Sequence, residues 1–351
     1  MVTNIGFQHE IVTENNNEKR KSKEKTGSFT SSTSTTTTAS ASTPLCRQFY
    51  SLPKLFWYYA KARTPPIYCF PIATILSFLL ISKAHTLGNG LIVIGIGLAS
   101  YFLGLATYVY NDITDIDVDK INRKDQSEMT QSQSKRGLVL LVTFLFGTAA
   151  IVSLIISYYA FLIAVIFIVL GVSYSHPRVD LKSKFPLKTV VTAAGAGLLS
   201  LFGGAAAVGN GLCHNPIDHA STSILPLSTA YLAISFAIFY FIQSPMGDIG
   251  DIKGDRAAGR KTFPLVLGMN GTMAIMLSIP FVILAMDGLC YGQLHISVIG
   301  TLLIVITSQI VAGFIGWIGN HMHDPGFIKN KRDKVRFLNI AMQVSILIAL
   351  L

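Results

Sequence analysis

The most constraining feature of the chain is an uncharged stretch at residues 137–173. Its 37 residues include no Asp, Glu, Lys or Arg. A single α-helix of this length would be about 55 Å long at 1.5 Å per residue, whereas the hydrocarbon core of a bilayer is about 30 Å thick. The stretch therefore predicts two membrane-spanning helices that form a hairpin, with the turn near Ser157 and Tyr158.

Apolar runs of this kind recur along the chain. Charged residues make up 13% of the sequence, about half the share of a soluble domain. This composition excludes an ordinary soluble enzyme, a disordered protein and a nucleic-acid-binding module. The sequence predicts an all-α polytopic membrane protein with nine transmembrane helices. The predicted spans are residues 66–82, 91–110, 137–157, 158–173, 187–208, 227–244, 271–285, 296–318 and 337–351.

The basic residues are divided unequally between the two sides that these spans define. Of the 28 Lys and Arg residues, 27 fall in the N-terminal region and in the segments at residues 111–136, 174–188, 245–261 and 319–336, and only Lys83 falls on the other side. Basic loops stay on the cytoplasmic side of a membrane. We therefore expect an integral protein of the cell membrane with a cytoplasmic N-terminus. The net charge of +10 then reflects topology and attraction to anionic membrane lipids, and no nucleic acid is expected as a partner.

The N-terminal region has a different composition. Residues 1–47 combine an Asn run, mixed charges and a Ser/Thr tract. Such a sequence cannot bury an apolar core. We expect a disordered cytoplasmic tail over residues 1–47 and a single transmembrane domain over residues 48–351.

Two groups of acidic residues stand at predicted cytoplasmic ends of spans. Helical spacing places Asn111, Asp115 and Asp119 on one face, with Asp112 beside them, and it places Asp248, Asp251 and Asp255 on one face of another helix. Because carboxylates near hydrocarbon are costly, they are usually functional. The first group, after the second span, is Asn111, Asp112, Asp115 and Asp119, and the second, after the sixth span, is Asp248, Asp251 and Asp255.

Matched carboxylate faces on two helices can share divalent cations. Mg²⁺ prefers one or two carboxylates per ion together with phosphate oxygens and water, so the sequence predicts Mg²⁺ ions that bridge to a diphosphate. Tyr174, Arg178 and Lys182, in the loop after the fourth span, offer a hydroxyl and basic groups for phosphate oxygens. The alternative is that the acids are solvated loop charges paired with Lys120, Arg123, Lys253 and Arg256, but two groups at matched positions favour the magnesium site.

The order and spacing of these motifs resemble the UbiA superfamily of intramembrane prenyltransferases. The resemblance rests on NDxxDxxxD at residues 111–119, DxxDxxxD at residues 248–255, GRKTFP at residues 259–264 and the Tyr-Ser-x-Pro turn at residues 174–177. It implies nine helices around a central cavity that both motifs cap on the cytoplasmic side. It also implies Mg²⁺-dependent transfer of a prenyl group from a prenyl diphosphate to a lipophilic acceptor.

The resemblance also assigns roles to individual residues. Either Arg178 or Lys182 corresponds to the basic residue that grips phosphate in the family. The implied metal ligands are Asn111, Asp112, Asp115, Asp119, Asp248, Asp251 and Asp255, of which Asp115, Asp119, Asp251 and Asp255 are also implied as catalytic. The implied diphosphate-binding residues are Asn111, Tyr174, Arg178, Lys182, Lys120 and Arg123.

The resemblance leaves the acceptor open. The second motif is similar to a branch that contains ether-lipid and chlorophyll synthases, which favours geranylgeranyl transfer to geranylgeranylglyceryl phosphate. Alternatives are an aromatic acceptor in quinone synthesis, a chlorophyll-synthase-like or carotenoid-elongating enzyme, and a terpene cyclase. The Arg-Pro pair that many relatives carry after the first motif is missing from residues 123–137.

A cation transporter is the alternative outside enzymes. Polytopic transporters also hold carboxylates within the membrane. Their acids more often lie in mid-span, whereas both motifs here flank the ends of predicted spans, which favours the enzyme.

Overall fold

The structure, a computed structural model, describes most of the predicted transmembrane domain. The described residues are 52–63, 66–82, 87–122, 135–212, 226–321 and 323–351. All regular structure in these ranges is helical, which confirms the expected all-α fold. The predicted tail at residues 1–47, Lys83 and Arg123 lie outside the described residues.

Twelve α-helices follow one another along the described ranges. Two short 3₁₀ helices, Pro66–Tyr68 and Leu181–Ser183, occur between them. The α-helices are α1 (Leu52–Ala62), α2 (Cys69–Ser82), α3 (Leu87–Thr114), α4 (Ile116–Ile121), α5 (Lys135–Ile156), α6 (Tyr158–Ser175), α7 (Leu187–Gly209), α8 (Leu227–Ala257), α9 (Phe263–Val266), α10 (Gly268–Leu294), α11 (Val298–Gly319) and α12 (Pro325–Leu350).

Seven of the described helices are long and apolar enough to span a membrane. These are α3, α5, α6, α7, α8, α10 and α11. Helix α2 is apolar but shorter, and the first half of α12 carries five basic residues. The protein is therefore an integral membrane protein by its apolar helices, while the count of nine spans stays a prediction.

The predicted hairpin is confirmed at the residues expected. Helix α5 ends at Ile156 and α6 begins at Tyr158, with Ser157 between them. The Ser157 side chain accepts a hydrogen bond from the backbone N–H of Ala160 at 3.4 Å. A Ser at this position satisfies an otherwise unpaired N–H group of the first helical turn, so α6 can begin directly after α5 ends.

Two segments predicted as loops are largely helical. Helix α8 continues from the predicted end of its span at residue 244 to Ala257, and α12 begins at Pro325 rather than at residue 337. An apolar run ends where charged residues begin, but helical hydrogen bonding continues when those charges find partners. The second acidic motif therefore lies within α8, not in a loop after it.

The helices pack so that the last, α12, returns to the second, α2. Helix α7 packs against α2, α6 and α8, while α3 packs against α5. Helix α12 packs against α11, α8 and α2. This return brings the basic first half of α12 to the bundle end that carries the acidic motifs.

Helices α2 and α7 come into backbone contact at Gly203. A Cβ atom at Gly203 would lie 1.8 Å from the carbonyl oxygen of Thr74. The Thr74 hydroxyl donates a hydrogen bond to the carbonyl of Leu199 at 2.7 Å. Small residues permit such close approach between helices in membranes, so Gly203 fixes the separation of α2 and α7.

We predict that Gly203→Ala lowers the free energy of unfolding by about 1–3 kcal/mol, because the added methyl group forces the two backbones apart. Thermal unfolding in detergent micelles measures the change. Gly147→Ala is the matched control, since a Cβ atom at Gly147 in α5 meets no atom within 4 Å. Equal unfolding midpoints for the two variants would contradict the prediction.

Candidate active site

A polar cavity of about 210 Å³ lies where the two acidic motifs meet. Tyr174 and Lys182 line it as well. Residues from both halves of the chain are thus brought to one site, at the end of α3 and the end of α8. The predicted metal ligands that line it are Asn111, Asp112, Asp115, Asp119, Asp248, Asp251 and Asp255.

The first motif lies where α3 passes into α4. The N–H of Asp115 donates to the carbonyl of Asn111 at 2.9 Å, and the N–H of Asp119 donates to the carbonyl of Asp115 at 2.8 Å. Helical hydrogen bonding therefore continues through the junction and keeps these three residues on one face, as their spacing predicts. Asp112, Asp115 and Asp119 are all buried, with at most 5% of their surface exposed.

Among the basic residues of the loop after the fourth predicted span, Lys182 is the one that lines the cavity. Its Nζ donates to Asp115 Oδ1 at 2.6 Å, to Thr114 Oγ1 at 2.7 Å and to Asn111 Oδ1 at 3.3 Å. Arg178 is exposed and does not line the cavity. Of the two candidates that the resemblance left open, the structure therefore brings only Lys182 to the first motif.

Lys188 holds the second motif. This residue lies at the start of α7, and its Nζ is 2.6 Å from Asp248 Oδ1 and 3.1 Å from Asp255 Oδ2. Both carboxylates are almost fully buried, whereas Asp251 on the same helix is partly exposed. One ammonium group thus pairs with two carboxylates that helical spacing places on one face.

Two direct contacts join the motifs to each other. The Arg260 guanidinium donates from Nη2 to Asp115 and from Nη1 to Asp255 Oδ1, the latter at 3.3 Å. The Asn122 side chain accepts a hydrogen bond from the backbone N–H of Gly254 at 2.8 Å. A Cβ atom at Gly254 would lie 2.4 Å from the Asn122 amide, so a glycine is needed for this approach.

The electrostatics of Asp115 follow from its two cationic neighbours. Burial by itself raises the pKa of the Asp115 carboxyl, but the Lys182 ammonium and the Arg260 guanidinium outweigh it and hold that pKa below its usual range. For Lys182, burial outweighs the attraction of Asp115 and lowers the pKa of the ammonium group. Asp115 is therefore held as a carboxylate, which is the form that binds cations.

The residues present fit a magnesium site that a substrate completes. In the described part of the chain, no three acidic, His or Cys side chains lie close enough to form a metal centre by themselves. Mg²⁺ needs only one or two carboxylates when phosphate oxygens and water supply the other ligands. Asp248 Oδ2 is buried and has no hydrogen-bond partner in the structure, which leaves a carboxylate oxygen available for a cation.

A second, mainly apolar cavity of about 160 Å³ adjoins the polar one. Its own walls include the rings of Phe70 and Phe167 and the small residues Gly104 and Gly171. The polar cavity therefore adjoins an apolar chamber between the helices. The residues that line both cavities are Tyr108, Asn111, Tyr174, Thr192 and Tyr240.

The sequence did not identify most of the basic residues of the cavity. Arg260 closely follows the second motif and Lys188 lies at the start of a predicted span, and these positions are signals that could have indicated them. For Arg63, Arg332 and Arg336, the only signal in the sequence was the predicted cytoplasmic side of the membrane. The cavity residues missed are Arg63, Lys188, Arg260, Arg332 and Arg336.

Several basic residues named from the sequence lie elsewhere. Lys120, expected at the diphosphate, pairs with the exposed Asp117 at 3.0 Å and does not line the cavity. Lys253 and Arg256 are exposed. Four of the motif carboxylates are instead buried against other cations, which differs from the alternative of solvated loop charges, and these four are Asp112, Asp115, Asp248 and Asp255.

Comparison with known proteins relates most of the helical region to one family. The UbiA prenyltransferase family matches residues 69–339. A digeranylgeranylglyceryl phosphate synthase from Natronomonas pharaonis is 29% identical over 165 residues, which are 47% of this chain and 53% of that protein. The chain thus spans about half the length of the curated relatives it matches.

Two solved structures share the fold. A structure of digeranylgeranylglyceryl phosphate synthase superposes with a TM-score of 0.61 at 16% identity, and covers 87% of this chain and 99% of its own. A UbiA homologue from Archaeoglobus fulgidus bound to GPP and Mg²⁺ superposes with a TM-score of 0.57 at 18% identity, and covers 82% and 97%. The family match extends from α2 into α12, and the chain belongs to the UbiA prenyltransferase family.

Proposed function

We propose that the protein transfers a prenyl group, with geranylgeranyl as the expected group, from a prenyl diphosphate to geranylgeranylglyceryl phosphate on the cytoplasmic side of the membrane. The observation that carries this proposal is that a charged cavity adjoins an apolar chamber and shares lining residues with it. An amphiphile with an anionic head and a hydrocarbon tail matches both parts. The names of the curated relatives support the choice of acceptor.

The basic side chains of the cavity are suited to the diphosphate. Lys182, Lys188 and Arg260 would hold its oxygens by charge-assisted hydrogen bonds. The two acidic motifs would hold Mg²⁺ between them, and the bound metal supplies positive charge that stabilises the leaving diphosphate. The apolar chamber would hold the prenyl tail and keep water from the allylic carbon as positive charge develops there.

The acceptor attacks that carbon through its free hydroxyl. The new C–O bond forms as the bond to the diphosphate breaks, and the hydroxyl proton passes to a cavity carboxylate or to the released diphosphate. Asp115, Asp119, Asp251 and Asp255 are the carboxylates that we propose for this role and for holding the metal.

We predict that Asp251→Asn lowers the Mg²⁺-dependent rate of prenyl transfer by about 100-fold or more, because a charged ligand at the reacting group is lost. Asp251 is partly exposed, so its substitution disturbs folding less than that of the buried Asp115. Mass spectrometry of the product formed from geranylgeranyl diphosphate and geranylgeranylglyceryl phosphate measures the rate.

Asp117→Asn is the matched control for this prediction. Asp117 lies between the first-motif residues Asp115 and Asp119, but its side chain is 93% exposed, so the rate should stay within about twofold of wild type. A near-wild-type rate for Asp251→Asn, or equal loss in both variants, would refute the assignment of the carboxylates.

We also predict that Lys182→Gln raises the KM for the prenyl diphosphate by about 10- to 100-fold, since one charge-assisted hydrogen bond to phosphate is removed. Arg178→Gln should leave that KM unchanged, because Arg178 is exposed outside the cavity. Steady-state kinetics with varied prenyl diphosphate distinguish the two variants, and the reverse ranking would assign the diphosphate to Arg178.

A further inference from the structure

The basic side chains of the polar cavity fall into two groups. Lys182, Lys188 and Arg260 are ion-paired with the buried Asp115, Asp248 or Asp255 and are the side chains proposed above for the diphosphate. The other three are Arg63, Arg332 and Arg336, which we call the arginine cluster. The proposed diphosphate site does not use this second group.

The arginine cluster is assembled from the two ends of the chain. Arg332 and Arg336 are four residues apart on α12, so they lie on the same face of that helix. Arg63 directly follows α1, and its guanidinium lies 5.1 Å from the ring centre of Tyr108. Packing of α12 against α2 and α8 brings these elements to one wall of the cavity.

The carboxylates available to the cluster leave its charge incompletely matched. Arg63 pairs with the buried Asp112, whereas Arg336 pairs with Asp333, whose side chain is 52% exposed. Arg332 has no ion pair with any residue that the structure describes, and Arg63 and Arg336 both act on it as like charges. Asp251 is the acidic side chain that attracts Arg332.

Buried donors without acceptors mark the same wall. Arg63 Nε, Arg332 Nε and Gln243 Nε2 are buried and have no hydrogen-bond partner among the described residues, and all three residues line the cavity. Buried polar groups in native proteins are nearly always hydrogen-bonded. Three unmatched donors beside three guanidinium groups are suited to a ligand that carries several acceptor oxygens and negative charge.

We propose that Arg332 and Arg336, together with Arg63, bind the phosphate headgroup of the lipid acceptor and so select phosphorylated acceptors over neutral ones. This inference rests on the proposed function. Guanidinium groups bind phosphate by paired hydrogen bonds, which gives both affinity and orientation. A phosphomonoester here would satisfy the unmatched donors while the adjoining chamber receives hydrocarbon.

The test compares a phosphorylated with a neutral acceptor of the same hydrocarbon. The full chain in lipid nanodiscs is supplied with geranylgeranyl diphosphate, Mg²⁺ and either geranylgeranylglyceryl phosphate or geranylgeranylglycerol. We expect wild type to prefer the phosphorylated lipid, and Arg332→Gln to reduce the ratio of the two kcat/KM values by about 10- to 100-fold. The KM for the prenyl diphosphate should change by less than about twofold.

Lys334→Gln is the matched control, because Lys334 lies on the same helix but is exposed and does not line the cavity. Arg336→Gln is the second variant and should reduce the same ratio of kcat/KM values. It serves as the test if Arg332→Gln does not fold. An unchanged ratio in both cluster variants would overturn the proposal. A rise in the KM for prenyl diphosphate as large as that for the acceptor would instead assign the cluster to the diphosphate.

A binding measurement separates this inference from the proposed function. Calorimetric titration with geranylgeranylglyceryl phosphate, without Mg²⁺ or prenyl diphosphate, should show binding to wild type that weakens at least tenfold in Arg332→Gln. Failure of wild type to form product, with this binding difference intact, would refute the proposed transfer and retain the phosphate site. Equal binding by both proteins would refute the phosphate site, whatever the activity.

Discussion

The need to neutralise buried carboxylates is the constraint on which the site depends. Six aspartates line the polar cavity together with six basic side chains. A buried charge without a partner costs several kcal/mol. The cations that neutralise these acids come from the ends of α1, α7 and α8, from the loop before α7 and from α12. The need to neutralise the acids therefore also holds these elements together at one end of the bundle.

A cavity with balanced charge is suited to a ligand that brings both signs. Divalent cations and a diphosphate nearly cancel each other, so the proposed complex would enter without a large change in net charge. In the function that we propose, basic side chains that pair with carboxylates, such as Lys182 and Arg260, would also face phosphate oxygens, while the carboxylates would face metal. The acids and bases are thus complementary to the two halves of one ligand, which a cluster of acids alone would not be.

Hydropathy predicted the membrane helices well where apolar runs coincide with whole helices. The turn at Ser157 and the helix from Leu187 are found where expected. The end of α8 and the start of α12 were misjudged. In α8, Asp248, Asp251 and Asp255 end the apolar run without ending the helix. Whether a charged segment continues as helix depends on partners such as Lys188, which hydropathy along one segment does not contain.

The same reasoning explains which site residues the sequence indicated. The acids are recognisable because helical spacing relates Asn111, Asp115 and Asp119 within one local pattern. Most of their cations come from other helices, and for Arg63, Arg332 and Arg336 the only sequence signal was their side of the membrane, which 27 of the 28 basic residues share. The predicted side of the membrane alone cannot distinguish Arg332, which lines the cavity, from the exposed Lys334 two residues later. That distinction arises when α12 packs against α2 and α8. The acidic residues of the site can therefore be recognised from a local sequence motif, whereas basic residues such as Arg332 can be recognised only from the tertiary structure.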